Sequence, residues 1–137
     1  MGITAPSRGI KIYGTYAVIV GTLNGVGNLV LAVLAAKGGT FAAVGVGRPL
    51  LGALVGGLLA TSGIGVARLR PWGRTLAVAT AIGIMGLAAF NALHLPAGPS
   101  APRVEFIASY VLFPLALNAG VLWFLTRPPV VAQFSRA

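Results

Sequence analysis

Few residues in this 137-residue chain have chemistry to offer: one acid, Glu105, one histidine, His94, no cysteine, and four asparagines, Asn24, Asn28, Asn91 and Asn118. Without cysteine there are no disulfides, thiolate metal sites or thiol nucleophiles. A single acid cannot form a carboxylate pair, and no His-x-x-x-His, Gly-x-Ser-x-Gly or phosphate-binding loop occurs, so no catalytic residue and no metal site is expected. Asn24 and Asn28 have ligand-like spacing, but amides suit transition metals poorly. One histidine also rules out a bis-histidine haem within the chain. No cofactor is expected, and a pigment or haem held on one side by His94 is the lesser alternative.

The elements that must position these groups are apolar. Hydrophobic residues make up 57% of the chain and charged ones 8%, with a mean hydropathy of +0.93, far from the balance of a soluble domain. A bilayer core about 30 Å thick needs about 20 apolar helical residues to cross it. Four such runs are present, at about 12–36, 49–67, 73–95 and 104–126. The expected fold is all-α, a single four-helix transmembrane domain over residues 1–137, packed as an antiparallel bundle in the cell membrane. The first run is too long for the apolar core of a secretory signal, which spans about 7 to 15 residues.

Charge sets the expected orientation. Arg68, Arg70 and Arg74 surround Trp72 in a short loop, the densest charge in the chain and a natural cytoplasmic anchor. On that side fall Arg8, Lys11, Arg68, Arg70, Arg74, Arg127 and Arg136; on the other, Lys37, Arg48 and Arg103. Seven against three places both termini in the cytoplasm. Tyr13, Tyr16, Trp72, Trp123 and Phe124 then form an aromatic belt at the same interface, a signal the charge count does not use. The net charge of +9 therefore points to anionic lipid headgroups, not nucleic acid.

Small residues mark the expected contacts. Gly14, Gly21, Asn24, Gly25 and Asn28 recur at helical spacing on the first span, and Gly52, Gly56, Ala60, Gly63 and Ala67 on the second. Gly21, Gly25, Gly52 and Gly56 are the candidate packing positions, where only a small residue lets helix backbones approach. On the third span Thr80, Gly83, Leu87, Asn91 and His94 share a side. In the fourth, Pro114 should kink the helix and release the Tyr110 carbonyl, and Arg127-Pro128-Pro129 should end it.

The outer half is where a polar site would form. Asn28, Asn91, His94 and Glu105 reach similar depths and are the candidate cluster, because polar groups in a span need partners that lipid cannot supply. For Glu105 the plainer role weighs more, a helix N-terminal carboxylate paired with Arg103 or Arg48. Asn24 and Asn118 lie deeper, where interhelical hydrogen bonding is the ordinary use. The functional expectation is a non-enzymatic protein that works by packing, with other membrane subunits or copies of itself as partners. An oligomeric transporter or channel lined by the cluster is the alternative, and an intramembrane enzyme resting on His94 and Glu105 is weaker still.

Overall fold

The computed structural model describes residues 6–93 and 107–135. All regular structure among them is helical: α1 (Arg8–Ala36), a 3-10 turn (Gly39–Val44), α2 (Gly47–Ala67), α3 (Pro71–Leu93), a π-helical stretch (Ala108–Leu112), α4 (Phe113–Thr126) and α5 (Pro128–Phe134). Three helices, α1, α2 and α3, are long and apolar enough to cross a membrane, and α4 with α5 forms a fourth such segment if the bent pair is taken together. The chain divides into two compact units, Met1–Ala77 with Ala132–Ala137, and Val78–Val131.

In the first unit α1 and α2 pack as an antiparallel pair along a seam of small residues. Ideal Cβ atoms built on the glycines show how close the backbones come. One on Gly56 would stand 2.6 Å from the Gly25 Cα and 2.7 Å from the Gly21 carbonyl oxygen, and one on Gly21 would stand 2.7 Å from the Gly56 oxygen. Further along, a Cβ on Gly63 would meet the Gly14 oxygen at 2.8 Å, and one on Gly14 the Ala67 Cβ at 2.8 Å. None of these positions admits a methyl group without a backbone shift. Glycine is used here for close approach, because a residue without a Cβ lets two helix backbones come together.

The α1 helix ends where Gly38 and Gly39 take φ of +85° and +73°, conformations that a side chain disfavours. Pro49 lies in the first turn of α2 and is fully buried; its missing N–H costs nothing there. The corner from α2 to α3 is a Schellman turn: Arg70 N–H bonds to the Gly65 carbonyl at 2.8 Å and Leu69 N–H to that of Val66 at 3.0 Å. Leu69 occupies the position usually held by glycine, at φ +55°, and its side chain is buried. Gly73 then packs on Gly65, with the Trp72 ring alongside.

A left-handed conformation costs a side-chain-bearing residue about 1 to 2 kcal/mol. Leu69→Gly is therefore expected to be more stable than Leu69→Ala by about 1 kcal/mol, the reverse of the order in a helix interior. Thermal unfolding of both variants in one detergent decides it, and an alanine variant at least as stable as the glycine one would remove the strain from this corner.

The last described helix corrects an expectation. Arg127-Pro128-Pro129 does end α4, but Pro128 starts α5, bent by 65° from α4. Proline is excluded from helix interiors and favoured in a first turn, so the same residues that stop one helix begin the next. The Gln133 Oε1 near the end of α5 accepts a 3.0 Å hydrogen bond from the Ser7 N–H, the residue that precedes α1. Within the second unit, the effect of Pro114 takes the form of a π turn. The Phe113 N–H bonds to the Ala108 carbonyl, five residues back, a wider turn that accommodates a proline ring.

Candidate functional site

The candidate outer cluster lies mostly beyond what is described. His94, Glu105 and Arg103 are outside the described residues, and the side chain of Asn91 is too, although its backbone lies within the last turns of α3. Asn28 is described, and its surroundings are local. Its Nδ2 donates to the Asn24 carbonyl oxygen at 2.9 Å and to the Asn24 Oδ1. The i, i+4 spacing on one helix makes this pairing possible. The Asn28 side chain also fits over Gly52, where an added Cβ would lie 2.5 Å from its Oδ1.

The two glycines of the Gly52-x-x-x-Gly56 motif therefore do different things. Gly56 receives the α1 backbone, and Gly52 makes room for an amide. Asn28 is half-buried and Asn24 is exposed, so the pair sits at the edge of the α1–α2 seam and reaches outward. Gly25 differs from its neighbours in the seam: a Cβ there would meet Gly57 N at 3.5 Å, an ordinary contact.

Asn118 is buried, and its Nδ2 donates to the Pro114 carbonyl at 2.8 Å. The proline that widens the turn before α4 thus also supplies the acceptor for the asparagine one turn on. At the end of α4 the Arg127 guanidinium stacks over the Trp123 ring, 4.4 Å from its centroid. Such a cation–π pair gives an arginine beside an aromatic ring a favourable partner.

In the anchor loop, Arg68, Arg70 and Trp72 are exposed and Arg74 is half-buried. On α3, Thr80 is buried, and its Oγ1 has no hydrogen-bond partner among the described residues. Of the other residues on that side, Gly83 and Leu87 are exposed, whereas Ala81 and Ala88 are buried.

Several contacts carried no readable signal in the sequence. Gly65 and Gly73 look like any others in a chain with 20 glycines, yet each occupies the space the other's Cβ would need. Ser62 is fully buried, its hydroxyl donates to the Leu59 carbonyl at 2.8 Å, and its side chain also meets Tyr13 of α1. A serine and a tyrosine 49 positions apart can be matched only once the helix register is known.

These features define, among the described residues, an all-helical protein whose apolar helices have membrane-spanning length and whose polar side chains are mostly bonded within their own helix. No family model matches the chain, and neither curated proteins nor solved structures yield a match.

Proposed function

We propose that the chain is a multi-pass protein of the cell membrane, spanning it four times with both termini cytoplasmic, and that it acts by helix packing. It serves as an accessory subunit of a larger membrane complex or as a self-associating scaffold. The observation that carries this reading is the contrast between the two sides of its helices. The inner seam of α1 and α2 is close-packed backbone to backbone, while less than a third of the apolar stretch of each of α1, α2 and α3 is buried. Leu23, Leu54 and Trp123 remain 70%, 60% and 64% exposed, a surface suited to lipid and to other helices. The exposed Arg68 and Arg70 would meet anionic headgroups at the cytoplasmic face.

Copurification from native membranes in a mild detergent, followed by mass spectrometry and an absorption spectrum, tests the reading. Stoichiometric partners or a defined homo-oligomer are expected. A monomer without partners would overturn it, and visible absorption would return His94 to consideration as a pigment ligand.

Orientation has its own test. A periplasmic reporter is expected to be active when fused after Gly98 and silent after Ala137, with a cytoplasmic reporter giving the opposite pattern. Periplasmic activity at Ala137 would end the four-span arrangement.

A further inference from the structure

We infer that α1 carries a self-association seam formed by Val20, Asn24, Gly27 and Leu31, through which two copies of this chain pair with their Asn24 amides hydrogen-bonded to each other. This rests on the membrane reading above and names the partner that reading leaves open.

Asn24 stands midway along the uncharged part of α1, twelve residues from Ile12 and twelve from Ala36, so about 18 Å of helix lies on either side. That is the depth at which a polar group finds least relief from water. The side chain is nonetheless exposed. Its Oδ1 already accepts from Asn28, whereas its own amide N–H groups have no acceptor among the described residues. An amide left in hydrocarbon without acceptors is costly, so something on this face should receive it.

The neighbours of Asn24 show how a helix would approach. Val20, Asn24, Gly27 and Leu31 follow four-three-four spacing, the pattern of a coiled-coil seam. Val20 and Leu31 are half-buried, and nothing lies within 4 Å of where a Cβ on Gly27 would stand. This seam is separate from the one used by α2, which occupies Gly14, Gly21, Gly25 and Asn28. A single asparagine in such a seam sets register, because any other alignment leaves it opposite an apolar residue.

A second copy fits better than an unrelated partner for a geometric reason. Copies inserted with one orientation are related by a two-fold axis along the membrane normal, which makes their α1 helices parallel and brings equal positions to equal depth. An amide carries both donor and acceptor, so two Asn24 side chains at one depth complete each other. An unrelated helix would need its own polar group at that level.

The chain lacks cysteine, which makes oxidative cross-linking in native membranes a clean probe. Val20→Cys and Leu31→Cys are expected to give a disulfide-linked dimer, and Val26→Cys and Val33→Cys, on the opposite face of α1, are not. Asn24→Leu should weaken the dimer of the full-length protein in detergent by roughly 3- to 30-fold, the worth of an amide hydrogen bond between membrane helices, and Asn24→Gln should restore most of it. Cross-linking equal on both faces, or absent from the seam, overturns the inference. So does an Asn24→Leu variant whose thermal stability falls while its dimer constant is unchanged, since the amide then serves the fold of one chain. A stable dimer cross-linked through other positions overturns this seam but leaves the scaffold reading standing, whereas a partnerless monomer removes both.

Discussion

Gly56→Ala is expected to destabilise the α1–α2 pair, while Gly25→Ala, at a glycine in direct contact with it, leaves the pair as stable or more so. The asymmetry follows from where each Cβ would point. On Gly56 the added carbon would lie 2.6 Å from the Gly25 Cα and 2.7 Å from the Gly21 oxygen. Both atoms belong to backbone and cannot swing aside, so one of the two helices must move. Overpacking of this kind costs about 1 to 3 kcal/mol. On Gly25 the carbon would lie 3.5 to 3.6 Å from backbone atoms of Gly57, Ala53 and Gly56, where it adds contact, and alanine stabilises a helix interior by up to about 1 kcal/mol over glycine.

Gly56→Leu should go further and separate the helices, which also withdraws Gly52 from the Asn28 amide and Ser62 from Tyr13. Loss of a folded, detergent-soluble protein is the expected result, with Val33→Leu, at an exposed position, as the neutral control. Thermal unfolding of the four variants checks the order. If Gly25→Ala and Gly56→Ala were displaced equally, the close approach would not be where the backbone geometry puts it.

The seam was legible beforehand because close packing of two helices writes a simple pattern. Small residues at three- and four-residue spacing on two consecutive spans identify the facing stripes, and the contacts from Gly14 with Ala67 to Asn28 with Gly52 follow those stripes in antiparallel register. The corner at Leu69 was hidden for the opposite reason. A helix end that reverses through a left-handed residue is normally announced by glycine, and here leucine holds that position because its side chain is buried.

Pro114 announced a distortion without its form, since a kink and a π turn both relieve the same missing N–H. Pro128 and Pro129 carry two signals at once, the end of α4 and the first turn of α5, and only the first is evident from the sequence. The grouping of Asn28 with Asn91, His94 and Glu105 depended on helix rotation, which depth alone does not determine. Of the four, Asn28 is the one whose side chain lies among the described residues, and it bonds to Asn24, its neighbour one turn away.

Moving arginines across the membrane is expected to invert the protein. Arg68 and Arg70 contribute to their corner through backbone groups, the Arg70 N–H bonding to Gly65 and its carbonyl receiving the Gly73 N–H at 3.0 Å. Their side chains are exposed, so their removal changes charge with little cost to the fold. On the proposed orientation, substituting glutamine for Arg68, Arg70 and Arg74 lowers the basic count on the cytoplasmic side from seven to four, against three outside. A mixed orientation should result, because the residual bias is a single charge. Adding Pro99→Arg, Ser100→Arg and Ala101→Arg to the same chain makes the count four against six, and most molecules should then present Ala137 to the periplasm. Periplasmic and cytoplasmic reporters fused after Ala137 measure the fraction directly, and thermal unfolding of the glutamine variant shows whether Arg74, which is half-buried, has weakened the corner. An unchanged cytoplasmic Ala137 in both variants would mean that something other than the arginine loop holds the orientation.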